Sequence, residues 1–204
     1  MSFLSVFNSF VVLLLFSFFC FCAGRINPSV LVSLEVPISA RCVFELRPPS
    51  QFKAVTLEEQ ITFTHPRFKT QFLAHLEISA TRMNVVFFSD YMQPLLSLEW
   101  DGFQLKQWQQ TGVRLPLDAR FVLADIQLAQ LMPSMPTFLD KQGLCRVVDF
   151  TTGPLNPVFK IEDDKHHPVI KISAVVNPAM QQSFLKYEHL ERGYLIEIEQ
   201  KPSF

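Results

Sequence analysis

Apolar and polar residues alternate along most of this chain with the period of two that lets a strand bury one face and wet the other. From Phe68 to Ile78 the residues Phe68, Thr70, Phe72, Ala74, Leu76 and Ile78 fall on one side. Lys69, Gln71, His75 and Glu77 lie opposite, and only Leu73 intrudes. Leu96, Leu98 and Trp100 repeat the pattern against Ser97 and Glu99, and Asp101-Gly102 then supplies a tight hairpin turn into a strand over 103–108. Towards the C-terminus Ile170, Ile172 and Ala174 alternate with Lys171 and Ser173, and Tyr194, Ile196 and Ile198 with Leu195, Glu197 and Glu199. Residues 158–162 and 169–175 form another strand pair, turning at Asp163-Asp164-Lys165-His166-His167. The stretch from Met83 to Phe88 differs in being apolar on both faces, so it is expected to be covered on both sides or to face something greasy.

One stretch breaks the β rhythm. Residues 116–132, PLDARFVLADIQLAQLM, open with Pro116 and Asp118 and end before Pro133 and Pro136, which predicts a helix. At about 100° per residue, Phe121, Val122, Ile126, Leu128, Ala129 and Met132 gather on one broad face, with Arg120, Gln127 and Gln130 opposite. Asp125 falls within the apolar face. A carboxylate there is costly to bury unless a cation or several donors meet it, and Arg146 and Arg82 are the candidate partners. Two roles stand for Asp125: fastening the helix to the sheet, or reading a polar head group inside a cavity. The order of many strands, one helix and more strands makes the fold mainly β and antiparallel.

The 204 residues suit one domain. Residues 1–24 carry no charged side chain and are nearly all apolar after Phe10, as in an export signal cut after Gly24 or an N-terminal anchor. Residues 25–55, with a short strand over 30–36 and Pro28, Pro37, Pro48 and Pro49, form a segment that wraps the domain proper, 56–204. Cys42 and Cys145 lack any metal-ligand spacing; they are either one disulfide in an oxidising compartment or two buried thiols. A formal net charge of −1 with scattered Lys and Arg argues against nucleic acid as a partner. No nucleophile elbow, zinc-protease motif or phosphate loop occurs, so the expectation is a non-enzyme without cofactor or metal. The 163–167 cluster reads as a solvated turn before it reads as a metal site.

The runs QFLAHLEISATRMNVVFFSDYMQPLLSLEWDG, RLP, FVLADIQLAQLMPSMPTFLD, RVVDF and YEHLERGYLIEIE resemble a bacterial family of unknown function with a LolB-like fold, several members of which are encoded beside aryl polyene biosynthesis genes. The resemblance covers roughly 57–200. It implies an antiparallel half-barrel around an apolar cavity, with one central helix packed in or across its open side. It further implies an exported protein, in the periplasm or on the periplasmic face of the outer membrane, that carries a lipid, a lipoprotein acyl chain or an aryl polyene. Relatives are often lipoproteins, but here Cys20 follows Phe19 and Cys22 follows Phe21, where a lipidated Cys wants a small neighbour. On this view the strands contribute Phe72, Met83, Val85, Phe87, Leu96, Leu98 and Trp100 to the cavity wall. The helix contributes Phe121, Asp125, Ile126 and Leu128. A loop over 89–94, carrying Tyr91 and Met92, touches the membrane surface. In a filled barrel the same wall residues are simply core, and the alternative function is a structural or assembly factor of an envelope complex.

Overall fold

The computed structural model describes residues 25–31, 35–112, 118–131, 145–149, 157–177 and 182–200. Residues 1–24 with Cys20 and Cys22, and Pro116, Met132, Pro133 and Pro136 of the expected helix and its flank, lie outside the described residues.

The alternating stretches pair as meandering hairpins. In chain order the strands are β1 (Arg25–Leu31), β2 (Glu35–Pro37), β3 (Val43–Glu45), β4 (Val55–His65), β5 (Phe68–Ile78), β6 (Met83–Phe88), β7 (Pro94–Trp100) and β8 (Gln104–Gln109). The helix α1 (Ala119–Leu131) follows, and then β9 (Cys145–Asp149), β10 (Val158–Asp163), β11 (Pro168–Asn177), β12 (Gln182–His189) and β13 (Tyr194–Gln200). Eleven of these strands make one antiparallel sheet in the order β1-β8-β7-β6-β5-β4-β13-β12-β11-β10-β9, open between β1 and β9, while β2 and β3 pair separately. The last strand is thus inserted between the two halves, with Ile198 opposite Ile61 and Ile196 opposite Phe63.

Local chemistry fixes the turns. The Asp101 carboxylate accepts the amides of Phe103 (2.8 Å) and Gln104 (2.7 Å), and Gly102 takes φ +99°, a conformation that disfavours any side chain. The 163–167 cluster is a turn of the same kind: Asp163 Oδ1 accepts the amides of Lys165 and His167, at 2.9 and 2.8 Å. In β6, Met83, Val85 and Phe87 point into the core, whereas Asn84, Val86 and Phe88 on the other face are only half-buried. That outer face is therefore only partly shielded. The strand foreseen over 30–36 is divided between β1 and β2.

The sheet is strongly curved. Leu96 of β7 and Tyr187 of β12 line one small cavity although five inter-strand spacings, roughly 24 Å along a flat sheet, separate their strands. Only a sheet bent around the helix brings them together. Asp118 starts that helix, its carboxylate accepting the Arg120 amide at 2.9 Å and its carbonyl the amides of Phe121 and Val122.

Residues 35–52 form a strap over the open side. Val36, Ile38, Cys42, Phe44 and Leu46 are all buried. At one end the strap meets the C-terminal half of the sheet, where Arg41 pairs with Asp164 at 3.0 Å and Cys42 is disulfide-bonded to Cys145, with Cα atoms 5.6 Å apart. At the other end it meets the N-terminal half: Trp100 Nε1 donates to the Arg47 carbonyl at 2.9 Å, and Pro48 packs on Gly102. Gln127 of α1 closes the set, accepting the Arg47 amide (2.8 Å) and donating to its carbonyl (3.0 Å). The amphipathic pattern places Gln127 on the wet side of the helix; it is instead fully buried, because the strap covers that side and its backbone meets both ends of the amide.

The disulfide closes a chain loop spanning a sequence separation of 103, so its loss frees a large amount of unfolded-state entropy. Reduction, or the Cys42→Ser/Cys145→Ser pair, is expected to lower the unfolding free energy by about 3–5 kcal/mol. Urea titrations with and without dithiothreitol measure this, and coincident midpoints would contradict it.

Candidate functional site

Between α1 and the concave face of the sheet lies a cavity of about 90 Å³. The helix presents one stripe to it, Val122, Asp125, Ile126, Ala129 and Gln130, at the i, i+3, i+4 spacing that keeps side chains on one side of a helix. The N-terminal half of the sheet contributes Glu59, Ile61 and Phe63 of β4, Phe72, Ala74 and Leu76 of β5, Val85 and Phe87 of β6, and Leu96 of β7. Tyr187 of β12 and Ile196 and Ile198 of β13 complete the wall. Phe72 and Phe87 meet edge to face with centroids 6.2 Å apart, a favoured aromatic geometry.

Of the wall residues foreseen from sequence, Phe72, Val85, Phe87, Leu96, Asp125 and Ile126 line this space. Met83, Leu98, Trp100 and Leu128 lie elsewhere in the core, each no more than 1% exposed. Leu128 is rotated away because α1 is buried on two sides, and the apolar residues on its strap side belong to a different layer. Phe121 is half-buried and carries the Arg192 guanidinium 3.8 Å above its ring. Tyr91 and Met92 sit on a tight turn closed by the Met92 amide on the Ser89 carbonyl, and are 88% and 62% exposed. The neighbouring hairpin turns at that end of the sheet expose Phe68 and Leu190 as well.

Asp125 is the polar centre of the helix–sheet contact. Its carboxylate accepts hydrogen bonds from the Tyr187 hydroxyl at 2.6 Å and the Tyr194 hydroxyl at 2.5 Å. The cations foreseen as partners are elsewhere: Arg146 pairs with Glu162 at 3.1 Å, and Arg82 reaches Glu99 at 3.7 Å. Two buried tyrosines replace a salt bridge, satisfying both oxygens without a second buried charge. Burial raises the Asp125 carboxyl to about 6, against the lowering by Tyr187, Tyr194 and Arg192. Both tyrosines are pushed above their usual range, by burial first and by the adjacent Asp125 carboxylate second, so they remain donors.

Glu59 escaped the sequence reading. It takes an inward position in the alternation Leu57, Glu59, Ile61, Phe63, is only 6% exposed, and accepts Gln200 Nε2 at 3.0 Å. Burial raises its carboxyl too. The period of two over VTLEEQITFTH was the signal that marked it.

His189 is buried beside Tyr194, their ring centroids 5.0 Å apart. Burial, and then Arg192, lower its imidazole to about 4. The two shifts act oppositely on stability. The Asp125 contribution is fully present below about 3.8 and is lost as pH rises through about 6. That of His189 is fully present above about 6.5 and is lost as pH falls through about 4. Asp125→Asn removes the first alone. Its unfolding free energy relative to the native chain is expected to rise by on the order of 2–3 kcal/mol between pH 4 and pH 6.5. Denaturant titration across that range measures it, and parallel pH profiles for the two proteins would refute a buried, raised carboxyl.

A family model described as "Protein of unknown function (DUF3261)" matches residues 56–202. No curated protein matches the chain. The matched stretch starts in β4 and runs through β13, so it contains the helix, the Asp125–Tyr187–Tyr194 cluster and every described residue of the cavity wall, and leaves out the strap. The chain belongs to this uncharacterised family.

Proposed function

We propose that this is an exported, non-enzymatic protein of LolB-like half-barrel fold that binds or carries a hydrophobic ligand, a lipid, a lipoprotein acyl chain or an aryl polyene, in the cell envelope. The observation that carries the reading is the apolar cavity between α1 and the concave sheet. The open curved sheet with one helix across it supports the fold, and the Cys42–Cys145 bond supports an oxidising compartment. The ligand's apolar chain lies against Val85, Phe87, Leu96 and Ile126. At about 90 Å³ the space takes a segment of such a chain, since sites for whole small molecules run to about 300 Å³ or more. Loading a longer chain therefore requires α1 to shift. Exposed Tyr91 and Met92 meet the membrane surface from which the ligand comes.

The same small volume favours a second reading, a structural or assembly factor whose interior needs no occupant. Ala74 separates the two, because it is buried and its side chain lines the cavity. Ala74→Leu fills the space and, in the carrier reading, weakens binding of the neutral fluorophore N-phenyl-1-naphthylamine by about tenfold or more, a loss of about 1.4 kcal/mol. A native chain that leaves the fluorophore in water supports the assembly factor instead. Tyr91→Asp with Met92→Asp is expected to reduce co-sedimentation with phospholipid vesicles several-fold without changing the melting temperature, since both side chains are exposed. Unchanged co-sedimentation removes the membrane assignment.

A further inference from the structure

The cavity carries a charge pattern that an acyl-chain site does not need. Among the described residues lining it, the ionisable or polar side chains are Glu59, Asp125, Gln130 and Tyr187, and none is Lys, Arg or His. Arg192 acts electrostatically on Asp125 and bonds Tyr194 from behind, lying over Phe121 and donating to the Pro37 carbonyl, and it is not part of the wall. The described lining thus sets two carboxyls in a mostly apolar space and includes no cation.

The two acids are not equivalent. Both Asp125 oxygens are occupied by tyrosine hydroxyls. Glu59 accepts one amide from Gln200, on Oε1 at 3.0 Å, so that bond uses only one of its two carboxylate oxygens. It stands on β4 with Gln130 of α1 in the same lining, so one part of an otherwise greasy cavity has an acceptor with capacity to spare. An anionic head group brought there faces a like charge and loses its water without a counter-ion. An ammonium or hydroxyl donates to the carboxyl and makes its burial cheaper.

Resting on the cavity reading above, we propose that Glu59 makes the site selective for amphiphiles with a cationic or hydrogen-bond-donating head, an amine above all, and discriminates against carboxylate heads. The raised Glu59 carboxyl is consistent with this, because burial without a cation is what an arriving ammonium relieves.

Matched chains test it. Dodecylamine, dodecanol and dodecanoate, each below its micellar concentration, compete with N-phenyl-1-naphthylamine for the full chain at pH 7. The amine is expected to displace the probe at a concentration about tenfold below that of dodecanoate, equivalent to about 1.4 kcal/mol. Glu59→Gln, which keeps the shape and the acceptor, should bring the amine-to-carboxylate ratio near one, each competitor being read against that variant's own probe affinity. Equal competition by amine and carboxylate in the native chain overturns the proposal, as does a ratio that survives Glu59→Gln. If neither probe nor any of the three chains binds the native protein, the cavity reading itself fails, and the selectivity with it.

Discussion

The constraint on which the architecture depends is the need to satisfy one carboxyl in a dry interior. Asp125 sits on the helix face that packs into the sheet, where an unpartnered carboxylate would cost several kcal/mol. Two hydroxyls from adjacent strands, Tyr187 on β12 and Tyr194 on β13, supply what it needs. Because those strands lie in the C-terminal half of the sheet, the helix is drawn to that side, and its Val122–Ile126–Ala129 stripe is left opposite β4 to β7. The cavity is the space left between a helix held at one wall and a sheet that curves away to the other.

A second fastening acts from behind. The Gln127 amide makes a two-bond pairing with the backbone of Arg47, whose carbonyl also accepts Trp100 Nε1. One residue of the strap thus joins the helix to β7, and the disulfide joins the strap's other end to β9 at the sheet edge. The helix is an inner layer held by polar contacts on both sides, with apolar packing between.

Much of the sheet was legible in the sequence because a strand half in water writes its orientation into alternate residues. Phe72, Ala74, Leu76 and Ile78 point where the alternation sends them, and the Asp101-Gly102 turn falls where its backbone demands require. The helix was legible in extent but not in orientation. A helix buried on two sides is apolar over more than half its circumference, so Leu128 was placed on the cavity side and Gln127 in water, and neither holds. Asp125 was recognisable as a buried acid, yet its partners were not. Charge balance, visible in a sequence, points to arginines, whereas tyrosines 62 and 69 residues away act through hydrogen bonds that only the fold creates. Glu59 went unremarked because a charged residue in a strand ordinarily marks the wet face. Whether an apolar interior is full or hollow is invisible to pattern alike, since both have the same composition; that distinction came from geometry.

The most direct measurement is methyl NMR of the detergent-free protein titrated with a twelve-carbon amphiphile. Perturbations and ligand contacts at Val85, Leu96, Val122, Ile126 and Ile198, with Leu98 and Leu128 little changed, are the result expected of a chain lodged between the helix and the concave sheet. Changes confined to outward-facing methyls, or none at any ligand concentration below the micellar limit, would contradict it.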